Sequence, residues 1–171
     1  MVTDFIIQTQ KASVDSRYVL TRLIGGKYLV TNTAASEAAT TAPFDSNIAA
    51  LNFAANYGQW MFRRSPGFMD VCCFTGTGVA GATFNHNLGV VPELMIVKKR
   101  SGTTASWYVY ASALGNTKYI LLNETAASVT SSTLWNNTSP TASVFSLGSS
   151  TAVNDGNDCV NYLFATCAGV S

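Results

Sequence analysis

The chain has 171 residues, a formal net charge of +1, 11% charged side chains and 47% hydrophobic ones. That length holds one domain or two small ones sharing a core, and so little charge beside 11% aromatic residues excludes intrinsic disorder. Ten basic against nine acidic residues generate no field that would gather a phosphate backbone or an anionic membrane, so neither is expected as a partner.

No apolar run approaches the roughly 20 residues of a bilayer span. The start, MVTDFIIQTQK, lacks the basic region and long apolar core of a signal peptide. Cysteines at 72, 73, 159 and 167 fit no CxxC pair or disulfide framework, so buried free thiols and folding in a reducing cytoplasm are expected. With 20 Thr, 17 Ser and 13 Asn, the polar residues suit strands and tight turns, which makes the expected class all-β.

In chain order, alternation of apolar and polar residues predicts strands over 4–9, 17–21 and 27–31. The stretch TAASEAAT that follows Asn32 reads as a helical turn or two capped by Thr33. A strand over 57–63 comes next. Residues 68–93, FMDVCCFTGTGVAGATFNHNLGVVPE, read as a hairpin of two β segments joined by a Gly-rich turn, the first over 69–74. Further strands are predicted at 93–99, 106–111, 118–122, 143–147 and 159–165. Turn clusters such as SGTTAS, NNTSP and NDGND separate them at the short spacing of an antiparallel β-sandwich or jelly roll.

The chain also resembles itself. KYLVTNTAA at 27–35 parallels KYILLNETAA at 118–127. Upstream, Tyr18 pairs with Tyr108, Val19 with Val109 and Gly25 with Gly115; downstream, Trp60 pairs with Tyr162 and Phe62 with Phe164. The organisation read from this is a degenerate first repeat over 1–67 and a complete second repeat over 68–171, with one shared core or two. The hairpin at 68–93 occurs once, so the first repeat lacks its opening element.

Few residues offer chemistry. His86 is the one histidine, with no GxSxG elbow to accompany it, and its place beside Asn87, Gly89 and Pro92 suits a strand end entering a turn better than a base. Asp155 and Asp158 in VNDGNDC faintly resemble a calcium loop without its full ligand series, and a turn explains them. No metal, cofactor or catalytic residue is expected. The basic pairs Arg63–Arg64 and Lys98–Lys99, with Arg100, read as solvated strand ends or as contacts to an acidic sugar or a partner protein. SWYVYAS puts Trp107 and Val109 on one strand face and Tyr108 and Tyr110 on the other. One set enters the core, and the other is a candidate for stacking on a saccharide.

Residues 65–145 carry GFMDV, TGTG, HNLGVVPELMIVKKR, WYVY, LGNTKY with LLN, and WNNTSPT, followed later by NYLFA. This series closely resembles a repeated module of tailed-bacteriophage structural proteins, seen in cyanophage and marine-phage tail fibres and related virion proteins. The resemblance implies residence in the virion and no catalytic residues. The long fibres hold several modules, whereas this sequence stops at AGVS, where another would begin. The expected function is a non-enzymatic tail-fibre or tail-tip module for host attachment or spacing. The alternative is a capsid decoration or cement protein bridging capsomers, and a polysaccharide depolymerase ranks behind both.

Candidate contacts to a host-surface glycan or a partner are Trp107, Tyr108, Tyr110, Lys98 and Arg100. The first repeat's strands are too apolar to stand uncovered. Residues 1–31, above all Phe5, Ile6, Ile7, Tyr18, Leu20 and Tyr28, are therefore the expected interface of a homo-oligomer, by preference a trimer, or with another virion protein.

Overall fold

The computed structural model describes residues 3–10, 16–40 and 57–170. The chain is all-β. In order, its strands are β1 (Phe5–Gln10), β2 (Arg17–Thr21), β3 (Lys27–Val30), β4 (Ala38–Ala39), β5 (Tyr57–Phe62), β6 (Met69–Thr75), β7 (Ala82–Asn85), β8 (Leu94–Lys99), β9 (Tyr108–Ala111), β10 (Lys118–Leu121), β11 (Val129–Thr130), β12 (Val144–Leu147) and β13 (Asp158–Phe164). Two short 3-10 turns, Arg22–Ile24 and Ser112–Leu114, are the helical elements among the described residues.

Two antiparallel sheets form a sandwich. The first has the order β4-β3-β2-β1-β5 and the second β11-β10-β9-β8-β13-β6. Phe5, Val19 and Leu29 on the first pack against Met69, Val71, Val160 and Tyr162 on the second, with Trp107 between them. The Phe5 and Tyr162 rings sit 5.0 Å apart. A third, two-stranded sheet of β7 and β12 covers the far face of the second sheet. Its directly opposed Phe84 and Phe145 close on Phe74 at centroid distances of 4.3 and 5.4 Å. The second sheet is thus buried on both sides, which is why β13 has no polar-out alternation: Cys159 through Leu163 are all buried.

The sequence predicts the strands well and their partners less well. The segments at 69–75 and 82–85 form no hairpin with each other; β6 pairs with β13 and β7 with β12. TAASEAAT is not helical: after a turn at 31–33 it runs extended into β4. The Thr33 hydroxyl donates back to the Val30 carbonyl at 3.4 Å, a turn bond that competes with a helical cap.

The two sheets share more than strand order. Phe5 of β1 faces Thr21 and Phe62, as Leu94 of β8 faces Ala111 and Phe164. Asp4 N–H donates to Phe62 C=O and Glu93 N–H to Phe164 C=O, both at 2.9 Å. Thr31 N–H bonds Arg17 C=O and Leu122 N–H bonds Trp107 C=O, both at 3.0 Å. Each 3-10 turn ends on a glycine of positive φ, Gly25 at 64° and Gly115 at 77°, a conformation open to residues without a Cβ. The register therefore sets Ile7 against Ile96, Thr9 against Lys98, Arg17 against Trp107, Thr31 against Leu122 and Thr33 against Glu124. These equivalent faces are the ones that meet in the sandwich.

Candidate functional site

Three of the residues singled out for partner contact hold the two sheets of this chain together. The Trp107 indole is 1% exposed and donates its Nε1–H to the carbonyls of Val30 at 3.0 Å and Thr33 at 3.1 Å. Lys98 is fully buried. Its ammonium donates to the carbonyls of Ala34, Lys99 and Ala105 at 3.1, 3.0 and 2.9 Å, which uses all three donors. Among the described residues no carboxylate bonds it, and burial pulls its pKa from 10.5 to about 8. Arg100 Nε donates to Glu37 Oε2 at 2.8 Å, while Lys27 bonds Oε1. For Arg100, burial opposes the charge but the Glu37 hydrogen bond prevails and raises its pKa. Backbone bonds from Glu37 N–H to Arg100 C=O and from Ala105 N–H to Ala34 C=O complete this seam.

Lys98 is no solvated strand end, and neither Trp107 nor Tyr110, 4% exposed, offers a ring face to a sugar. Both faces of the WYVY strand are covered, one by the first sheet and the other by the third layer, where Tyr110 meets Trp135 at 5.9 Å. Tyr108 is half-buried and packs on Tyr119 at 5.4 Å.

Phe5 is buried in the sandwich core, so the apolar face expected to lack cover is covered from within the chain. Ile6 and Leu20 form a separate cluster on the outer face with Tyr18 and Tyr28. Ile7 is half-buried between the sheets. Residues 1–2 and 11–15 of the expected 1–31 interface lie outside the described residues. The strands FII, RYVL and KYLV are not edges either. Among the described residues the edge beside β1 is β5, with Trp60 53% and Met61 48% exposed.

A second polar knot lies on the other side of the second sheet. Lys99 is buried and donates to Asp155 Oδ2 at 2.6 Å, Thr103 Oγ1 at 3.0 Å and the Thr151 carbonyl at 2.9 Å. Burial would raise the Asp155 pKa, but hydrogen bonds from Lys99 and Asn157 outweigh it and hold the carboxyl below its ordinary value. Fully buried Asn154 accepts from Thr77 N–H at 2.6 Å and Gly78 N–H at 3.2 Å. Its amide donates to the carbonyls of Gly148 at 2.7 Å and Val79 at 3.0 Å. The TGTG motif is therefore a clamped loop, and a Cβ on Gly76 would lie 2.8 Å from the Asp155 nitrogen.

Asp158 accepts from Thr75 Oγ1 at 3.0 Å, so the two carboxylates of VNDGNDC serve separate ties. Among the described residues no group of three His, Cys, Asp or Glu side chains is placed to hold a metal ion. His86 is buried, its Nδ1 accepting from Leu88 N–H at 3.2 Å while Nε2 lies 3.1 Å from the Thr141 carbonyl. That pattern selects the Nε2–H tautomer, and burial lowers its pKa.

Sequence reading missed Glu37 and Asn154. Glu37 carried a usable signal, since no other acidic residue occurs between Arg17 and Phe44. Asn154 sits among turn formers and carried none.

Among the described residues, the place equivalent to the seam, on the other side of the sandwich, is open. A cleft of about 960 Å³ is lined by Ile7, Arg17, Ile96, Leu122, Glu124 and Thr125, among others. An apolar cavity of about 110 Å³ adjoins it, walled by the equivalent pairs Ile7 and Ile96, Thr31 and Leu122, and Phe62 and Phe164. Here Thr9 and Arg17 stand where the closed seam has Lys98 and Trp107.

Fold and site together define an antiparallel β-sandwich in which Lys98, Lys99, Asp155 and Trp107 work as internal ties and an open cleft lies between the sheets. Residues 62–171, from the end of β5 onward, match the family described as a domain of unknown function, DUF7483. The chain belongs to that family. No curated protein and no solved structure matches it.

Proposed function

We propose that this protein is a non-enzymatic structural component of a tailed-phage virion, a tail-fibre or tail-tip module for host attachment or spacing. The observation that carries the reading is the employment of the chemistry-bearing side chains. Lys98, Lys99, Asp155, Asp158, His86 and Trp107 all bond partners within the chain, an economy suited to rigidity rather than turnover. The motif series from GFMDV to NYLFA supports placement in a virion.

The partners proposed are other virion proteins and further copies of this chain, with a host-surface glycan as the candidate target of an attachment role. The repeated order and register of the two sheets support an origin by duplication. Arg100 is spent on Glu37 and Lys98 and Trp107 are buried, so a glycan contact would have to use other residues. Exposed Trp60 and Met61 on edge strand β5 suit assembly with a neighbour.

Immunogold labelling and cryo-EM of purified particles test the reading. Label on the tail is the expected result. Label spread over the capsid at high copy number would replace it with the decoration-protein reading, and absence from particles would overturn both.

A further inference from the structure

We infer that the turn 86–89 is an acid-sensitive latch, which holds the third layer on the sandwich while the His86 ring is neutral and releases it when the ring takes a second proton. The turn follows β7 and is tied to three separate parts of the chain. Toward β12, His86 N–H donates to the Ser143 carbonyl at 2.9 Å and Nε2 meets the Thr141 carbonyl at 3.1 Å. Toward β6, Asn87 N–H donates to Asp70 Oδ2 at 2.7 Å. Toward the β5–β6 connection, the Leu88 carbonyl accepts from Gly67 N–H at 2.7 Å. The Leu88 side chain is fully buried and plugs the core between the second sheet and the third layer, with Met95, Trp135, Phe145 and Leu163.

The bond that closes the turn runs from Leu88 N–H to His86 Nδ1, at 3.2 Å. A neutral imidazole has one acceptor and one donor, and this site uses each once; an imidazolium has two donors and no acceptor. A proton on Nδ1 sets one N–H against another and leaves a buried backbone donor unpaired. Among the described residues, the charged group that acts on the ring is Asp70 of β6. Asp70 and the Thr141 carbonyl both favour the imidazolium, but burial outweighs them and holds the pKa below its ordinary 6.5. Once the turn opens, the ring reaches water and the ordinary value returns. Between the two values the open form carries the extra proton, so opening becomes easier as pH falls. Above 6.5 neither form is protonated and the latch is indifferent to pH.

The chain has one histidine, so NMR of its ring reports this site alone, and the ring should titrate below 6.5 in the native full chain. The second measurement is native-state hydrogen exchange between about pH 5 and 7, where the opening constants at Leu88 N–H and Gly67 N–H should rise by up to about tenfold per pH unit on the acid side. Both should also open at a lower free energy than Val160 N–H in the central strand β13. His86→Asn keeps a side-chain oxygen two residues before the Leu88 amide and does not titrate; in it the pH dependence should vanish. A ring that titrates at or above the ordinary value, exchange without pH dependence, the same dependence in the variant, or equal opening free energies at Leu88 and Val160 would each overturn the proposal. Should His86→Asn fail to fold, the ring titration and exchange of the unaltered chain decide alone.

Discussion

The segment 30–37 and its counterpart 121–128 follow the same backbone course and end differently. In the first, Lys98, Arg100 and Trp107 reach across from the second sheet and bond the segment in place. In the second, the residues from Glu124 to Ser128 are exposed and the space above them is a cleft. Because the backbone bonds are matched pair by pair, the difference among the described residues lies in side-chain identity at a few register positions. Trp against Arg and Lys against Thr separate a closed seam from an open one. A β-sandwich with equivalent sheets can thus be made asymmetric without changing its topology.

The largest effect should come from Trp107→Ala. Removing a fully buried indole leaves a cavity and orphans two carbonyl contacts, so a loss of about 3–5 kcal/mol is expected in denaturant unfolding. Thr125→Ala, in the exposed segment beside the cleft, should change stability by less than about 1 kcal/mol. Similar losses for the two would erase the distinction between seam and cleft.

Lys98→Met should lower stability by about 1–3 kcal/mol at neutral pH, because three carbonyls lose a buried donor. The gap should then widen with pH. The folded pKa of about 8 lies below the ordinary 10.5, so between these values the unfolded chain binds the extra proton and the native state gains stability as pH rises. Below pH 8 both states are protonated and the gap is constant. Comparing the two proteins at each pH removes the contributions of the thiols and phenols, and a gap that narrows over this window would contradict the burial of Lys98.

Glu37→Ala should cost about 1–3 kcal/mol, because it strips the half-buried Arg100 of its carboxylate. Cys73 reports on the same place, since burial raises its pKa while Arg100 lowers it. Its native-state labelling rate should rise in the variant, while Cys159, pushed by burial to about 12, should stay unreactive at pH 8. Equal labelling of both thiols would mean that the variant loosens the whole sandwich rather than the seam. The smallest effect is expected for Tyr162→Phe. The buried hydroxyl has no hydrogen-bond partner among the described residues, so its removal should leave the melting temperature unchanged or slightly raised.

Much of this architecture was legible in the sequence. Period-two alternation located the main strands to within a residue or two, because most carry one strongly apolar face. The pairing of Tyr18 with Tyr108, and of Phe62 with Phe164, coincides with the register of the two sheets. The third layer was not legible. β7 and β12 lie far apart in the chain, and no local pattern states that Phe84 faces Phe145 rather than a residue of β6.

The site was the least legible part. Lys98 and Lys99 look like solvated residues because a lysine is almost never buried without a partner. Their acceptors include the carbonyls of Ala34 and Thr151 and the Asp155 carboxylate, which come from distant loops. The equivalent residues Thr9 and Gln10 are uncharged, the one hint that the position faces inward.

Native-state hydrogen exchange at one matched pair of amides tests the central claim most directly. Thr33 N–H and Glu124 N–H make the same turn bond at the same 3.4 Å distance, so local geometry gives them equal protection. If the seam is closed and the cleft open, Thr33 should exchange only through opening of the sandwich, with a free energy near the global value. Glu124 should exchange by local opening at a far lower one. Equal exchange free energies at the two amides would contradict the account.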